Sequence, residues 1–284
     1  MVALLGLASA LIYGASDFFG GLASRRVTSL LVCFLSSVVA VAIAAVALVI
    51  EDPVWSVDAV VLGIVAGVVG AAGTWAFYAS LALGPMSILS PGVAAIYALL
   101  PVLVGVSLGE TFSASGWIAL IAVLGAGVLL AIPRESDALR VRPRAAVLGL
   151  IAGVGYAAYI VAIDRTPPES GLVPLLMDLG VAAVLFGALL LVGRIRRGPS
   201  ELAGLRNRTA LTQSLVAGIA LGAGNILLVM GLHLGDLAVM GVLNALYPLG
   251  TVLLAFLVLR ERLSLLQGLG IVLAVAGSAL LAAG

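Results

Sequence analysis

Residues 73–84, Gly73-Thr-Trp-Ala-Phe-Tyr-Ala-Ser-Leu-Ala-Leu-Gly84, lie without a gap over residues 224–235, Gly224-Asn-Ile-Leu-Leu-Val-Met-Gly-Leu-His-Leu-Gly235. The same shift of 151 carries Glu110 onto Glu261. Upstream, Leu5-Gly6-Leu7 with Tyr13-Gly14-Ala15 fits Leu148-Gly149-Leu150 with Tyr156-Ala157-Ala158 at a shift of 143. The chain therefore reads as two copies of one unit, and such periodicity governs a fold before any single helix does.

Each copy is built from long apolar runs. A helix needs roughly 20 mainly apolar residues to cross a hydrocarbon core about 30 Å thick. Ten segments qualify: 2–23, 29–50, 59–83, 87–108, 115–132, 145–163, 172–192, 211–234, 237–259 and 265–282. Barrel strands need only about 9–11 residues and alternate apolar with polar, which these runs do not. The expected fold is an all-α integral membrane protein of ten transmembrane helices, arranged as two inverted five-helix repeats. The first repeat spans 1–133, a cytoplasmic linker 134–144, and the second repeat 145–284. An odd number of helices per unit inserts the two copies in opposite senses, an arrangement typical of secondary transporters that bind substrate near the midplane.

Composition sets the same limits. Of 284 residues, 63% are apolar and 10% charged, with a mean hydropathy of +1.29, so the chain cannot cover a soluble surface. All fourteen basic residues are arginine and the net charge is +1, which argues against a nucleic-acid partner. Thirteen of the fourteen fall in odd-numbered connections and only Arg165 on the other side, so both termini are expected outside a plasma membrane. The N-terminal run, with Arg25-Arg26 after it and no basic residue before it, does not read as a cleaved signal peptide. The single cysteine, Cys33, forms no internal disulfide. Without lysine there is no Walker-type phosphate loop, and one histidine with one cysteine makes a metal site or a histidine triad a poor fit. No cofactor and no enzymatic activity are expected.

Tyr13-Gly14-Ala15-Ser16-Asp17-Phe18-Phe19-Gly20-Gly21 resembles the first-helix signature of the drug/metabolite transporter superfamily, EamA family. Leu108-Gly109-Glu110-Thr111 and Leu259-Arg260-Glu261-Arg262-Leu263-Ser264-Leu265-Leu266-Gln267 resemble its paired Gly-Glu motifs. The departures are Arg260 in place of glycine, and Tyr97 where the shift of 151 places Pro248. Many relatives also end in a basic tail that implies an inner C-terminus, against the arginine distribution. The resemblance implies an exporter or exchanger of amino acids, metabolites or drugs that works by alternating access without ATP. A lipid flippase on the same fold, or a membrane-embedded lipid-modifying enzyme, is the alternative.

Ionisable groups inside spans are costly and mark candidate sites. Asp17 lies seven residues before Ser24 and Asp178 seven after Gly171, each about 10 Å from a helix end. Either can face a wet cavity as a proton carrier or as a partner for a cationic solute. The plain alternatives are that Asp17 reaches toward Arg25 and that Asp178 caps backbone near Pro174. Glu110 and Glu261, at opposite faces, are candidates for gate-locking, with structural pairing of each unit's last two helices as the alternative. His233 can titrate near neutral pH or simply sit at the interface.

The substrate-binding candidates are Tyr13, Ser16, Asp17, Trp75, Tyr78, Tyr97, Tyr156, Tyr159, Asn225, Asn244 and Tyr247. The pairs Trp75/Tyr78 and Tyr156/Tyr159 are each three residues apart and so share a helical face. Their partners would be a small organic solute and the bilayer, with proton coupling as an option; the oligomeric state is left open. Gly63-xxx-Gly67 and Gly218-xxx-Gly222 predict close helix contacts. Pro91, Pro101 and Pro248 free the carbonyls of Ser87, Tyr97 and Asn244, which predicts that helices 4 and 9 bend along a path or simply shape the packing.

Overall fold

The computed structural model describes residues 1–50, 53–83, 86–132, 142–197, 204–258 and 265–283. In chain order these form α1 (Val2–Ser24), α2 (Ser29–Ile50), α3 (Val57–Leu83), α4 (Met86–Ser107), α5 (Ala114–Ala131), α6 (Pro143–Asp164), α7 (Val173–Arg197), α8 (Arg208–Leu232), α9 (Leu237–Asn244), α10 (Tyr247–Val258) and α11 (Leu265–Ala283). No strand occurs among the described residues. Helices prevail because a chain in lipid must satisfy its backbone internally. By length and composition, α1, α2, α3, α6, α7 and α8 are long and apolar enough to cross a membrane, and shorter apolar helical stretches run over Gly92–Ser107, Ala114–Leu129, Leu237–Thr251 and Leu265–Leu280.

Local signals set several helix ends. Pro143 opens α6, where its missing N–H is no loss. The Asn207 side chain accepts from Ala210 N–H at 3.1 Å, which starts α8 three residues before the apolar run begins. Ser113 caps α5 in the same way through Gly116 N–H.

The apolar segment 237–259 is interrupted. Its helix stops at Asn244 and resumes at Tyr247, with tight bonds from Ala245 N–H to Gly241 O and from Leu246 N–H to Leu243 O bridging the step. Pro248 then occupies the first turn of α10, where an absent donor is harmless. By contrast α4 remains helical through Pro91 and Pro101.

The helices of the two halves interleave. α1 packs along α8 and α10, α6 packs along α3 and α4, α2 touches both α7 and α8, and α5 packs along α11. The small-residue motifs make close crossings. A Cβ on Gly67 would stand 2.7 Å from the Asp178 carbonyl oxygen of α7, and one on Gly218 would stand 2.7 Å from the Ser36 carbonyl oxygen of α2. Hydroxyls reinforce these contacts, as expected where lipid supplies no hydrophobic drive. Ser9 and Ser16 donate to the carbonyls of Gly224 and Ala217 at 2.9 Å, and Ser36 donates to that of Ser214 at 3.1 Å, which ties α1 and α2 to α8.

Candidate functional site

Where these crossings meet, a cavity of about 70 Å³ opens between the halves. Tyr13, Asp17, Tyr78, Tyr97, Tyr156, Tyr159, Asp178, Asn225, Asn244 and Tyr247 line it, all of them residues singled out in the sequence. Asp17 therefore faces the cavity rather than Arg25, and Asp178 faces it rather than serving as a backbone cap.

The neutral polar groups are largely engaged with one another. The hydroxyls of Tyr13 and Tyr159 both donate to Asn225 Oδ1, the latter at 2.7 Å. Tyr97 donates to Asn244 Oδ1 at 2.9 Å, and Asn244 Nδ2 donates to Ser9 Oγ at 2.7 Å. Tyr247 donates to the Ser90 carbonyl at 2.9 Å. All of these bonds except Tyr159–Asn225 cross between the two halves, and together they orient the rings. Buried Phe77 packs edge-on against Tyr156 and Tyr247, with centroids 5.8 and 5.9 Å apart, and Tyr97 meets Tyr156 at 6.2 Å. With their hydroxyls tied into the wall, Tyr13, Tyr97, Tyr159 and Tyr247 offer mainly ring surface to the interior.

The two carboxyls differ from that pattern. Asp178 is 4% exposed and Asp17 is half-buried. Among the described residues neither carboxylate has a hydrogen bond or a salt bridge. Asp17 interacts electrostatically with Tyr78, Tyr156 and Tyr247, whereas Asp178 interacts with Tyr13 and Tyr159. The acids thus address different members of the tyrosine group. Among the described residues, no arginine or histidine is in the lining.

Two expected binding residues lie elsewhere. Trp75 points outward at 42% exposure, because Thr74, one position earlier and about 100° around the helix, takes the cavity-facing place a turn before Tyr78. Ser16 is buried against α8 with its hydroxyl committed to Ala217. The lining also holds Ser37, Thr74, Leu179, Phe186 and Leu221, which sequence reading missed. Only the i, i+4 spacing of Thr74 and Tyr78 signals any of them.

Glu110 occupies a second polar station. Gly109 ends α4 with φ +98°, a left-handed turn that only glycine takes readily. That turn folds the Glu110 carboxylate back over α4 and onto the start of α9, where Oε1 and Oε2 accept from Leu237 and Ala238 N–H at 3.0 and 3.1 Å. The Gly-Glu pair therefore holds the N-terminus of the interrupted helix. Partial burial pushes the Glu110 carboxyl above the ordinary glutamate range; the Ala238 and Leu237 N–H groups pull against this, Asp236 adds to it, and Arg165 opposes it. His233 Nε2 lies 3.3 Å from Thr166 Oγ1 on the same side of the molecule. Glu261 lies outside the described residues.

An all-helical, multi-pass membrane chain with a cavity between its halves, lined by tyrosine rings and two aspartates, has the construction of a solute transporter. Comparison with known families agrees. Residues 143–283 match the EamA-like transporter family, and through that half the chain belongs to it, within the drug/metabolite transporter superfamily. That family consists of membrane transporters of small solutes and is typically non-enzymatic. A solved crystal structure superposes with a TM-score of 0.74 over 98% of this chain and 95% of its own, at 21% identity, a likeness of fold alone. No curated protein matches.

Proposed function

We propose that the protein is a secondary-active transporter, an exporter or exchanger of a small organic solute, in which two inverted five-helix repeats rock about the central cavity. The units are 1–133 and 145–284, joined by the linker 134–144, in a plasma membrane with both termini outside. One observation carries the reading: the first helix of each half packs on the third and fourth helical segments of the other, α1 on α8 and α10, α6 on α3 and α4, and the cavity lies where these pairs meet. Relative motion of the halves then changes access to the cavity without unfolding either one.

Within this scheme the lining residues named above bind the solute, and Asp17 or Asp178 carries a coupled proton. Glu110 locks one face through α9 and Glu261 locks the other. A thermal-shift screen of amino acids, sugar phosphates, nucleosides and cationic drugs identifies the solute, because a bound ligand stabilises by mass action. The hit is then tested for counterflow in proteoliposomes. Flux that requires a sealed compartment and an imposed pH gradient supports the proposal. Chemical turnover of the hit without a compartment, or lipid scrambling with no solute flux, contradicts it, and an Asp17→Asn protein with normal pH-driven uptake removes Asp17 as the proton carrier.

A further inference from the structure

A second cavity, of about 180 Å³, is built on the same helices as the first but on other faces of them. α4 turns Tyr97 toward the central cavity and Ala94, Ala98 and Leu99 toward this one; Asn244 and Tyr247 line the former, Ala245 and Leu246 the latter. α5 between Val123 and Val128 completes the second cavity, and no described residue lines both. The gap has a cause in the sequence. Near the α4–α5 turn, Val102 and Leu120 join a buried apolar cluster with Val242 and Leu246 that closes the two helices together. Farther from the turn the facing residues shrink to alanines on α4 and Gly127 on α5, and a Cβ added to Gly127 would meet nothing within 4 Å.

The chemistry of the lining selects what fills it. A single water needs only about 10–15 Å³ of such space, so water fits, but it also needs two to four polar partners, and every described lining side chain is hydrocarbon or glycine. An unfilled gap forfeits the dispersion contacts of its walls. The mouth supplies the remedy, because it opens on the lipid-facing surface: Leu99 and Val128 are 51% and 57% exposed, and exposed Leu103 and Ile121 continue the apolar strip along the same two helices. The α4 wall rises about 8 Å from Ala94 to Leu99 in the middle of that helix, so it meets the chains of a hydrocarbon core about 30 Å thick and not the headgroups.

We infer that this groove binds one acyl chain of a membrane lipid, taken up sideways from the bilayer, and that the chain backs the α9–α10 step from the face turned away from the central cavity. Recognition is of the chain alone, because the lining has no group to hold a phosphate or an amine. The site is independent of what the central cavity carries, so a failed transport assay leaves it standing.

The test places the full chain in nanodiscs of dioleoylphosphatidylcholine doped with a phosphatidylcholine that carries a photoreactive diazirine at mid-chain, and maps the labelled residues by mass spectrometry. Val184 of α7 and Ile219 of α8, 71% and 54% exposed and also at mid-helix, report ordinary contact with the bilayer. The expected result is labelling at Ala95, Leu99 and Val128 roughly threefold or more above that at Val184 and Ile219, because a bound chain resides where a passing one does not. Phosphatidylglycerol with the same labelled chain gives the same pattern, and a diazirine placed beside the headgroup loses the excess. Gly127→Phe, whose ring fills the gap from a position with free space around it, brings the groove down to the control level and leaves Val184 and Ile219 unchanged. Groove labelling no higher than the controls overturns the inference, whether passing lipid touches the mouth or a second copy of the chain covers it; so does labelling that depends on the headgroup, or an excess that survives in a folded Gly127→Phe protein. The wild-type contrast decides the matter by itself if that variant does not fold.

Discussion

α4 and the α9–α10 segment occupy matching places in the two halves, yet one is continuous and the other is broken. Both carry prolines, so proline alone does not decide the matter. In the first half, Tyr97 stands where the shift of 151 puts Pro248, and its hydroxyl reaches across to Asn244 at the end of α9. In the second half the chain steps at Ala245–Leu246, places Pro248 in a fresh first turn, and leaves the eight-residue α9 as a separate piece held by Glu110 at its start and by Tyr97 and Ser9 at its end. The halves share a framework, but the cavity they enclose is asymmetric. The separate piece α9 belongs to one half, while all three groups that hold its ends belong to the other.

The harshest way to break this arrangement is at the crossing that seats α10. Gly14 of α1 lies against the Tyr247 carbonyl and Gly250, with Thr251 Oγ1 donating to the Gly14 carbonyl at 3.1 Å. Gly14→Leu is expected to drive α1 from α10 and destabilise by about 3 kcal/mol or more, read as a fall of several degrees in thermal unfolding in detergent. Next comes the hold on α9. Glu110→Ala leaves two helix-terminal N–H groups without their acceptor, and a loss of about 1–2 kcal/mol is expected by the same assay.

Glu110 also gives that hold a pH dependence of definite sign. Its carboxyl is raised above the ordinary range in the docked position, so the docked state binds a proton more tightly than a solvent-exposed glutamate does. Its contribution to stability is greatest below the ordinary glutamate pKa and declines as pH rises through the window between that value and the raised one. Asp236 and Arg165, facing it from the neighbouring connections, and Asp164 at the end of α6 share the field. Glu110→Gln is expected to flatten that part of the stability-versus-pH profile, and an unchanged slope would show that Glu110 is not its source.

The gentlest comparison is between the two matched residues themselves. Tyr97→Phe removes one buried hydrogen bond and is expected to cost about 1 kcal/mol, whereas Pro248→Ala, in a first turn, is expected to change stability by less than about 1 kcal/mol. A larger effect at Pro248 than at Tyr97 would mean that proline, and not the cross-half bond, holds the step in place.

Much of this was legible in the residues. Apolar runs of about 20 with turn residues between them give helix positions to within a few residues, whereas the proline argument, which applies alike to the fourth and ninth segments, does not tell the continuous α4 from the interrupted α9–α10. Tyrosine, asparagine and aspartate are conspicuous in such runs because burying them needs a reason, and ten of them proved to surround one cavity. What could not be read was helix rotation. Trp75 and Thr74 are neighbours, and which one turns inward depends on how α3 seats against α6 and α7 through Gly67 and Gly73, a packing outcome with no signature in a uniformly apolar helix. Ser37, Leu179, Phe186 and Leu221 were missed for the same reason, since apolar and small hydroxyl residues fill lipid-facing and cavity-facing surfaces alike. That the glycine before Glu110 serves a left-handed turn, so that the glutamate grips α9, also emerges only from the three-dimensional path.

The central claim is that the cavity between the halves opens to each side of the bilayer in turn. Leu221→Cys, on the cavity wall, in a Cys33→Ser background gives a single reporter for a membrane-impermeant thiol reagent added from one side or the other of sealed vesicles. The account predicts labelling from both sides, with each side's rate rising as conditions favour the state open to it. Labelling from one side only, whatever the pH or solute gradient, would contradict it.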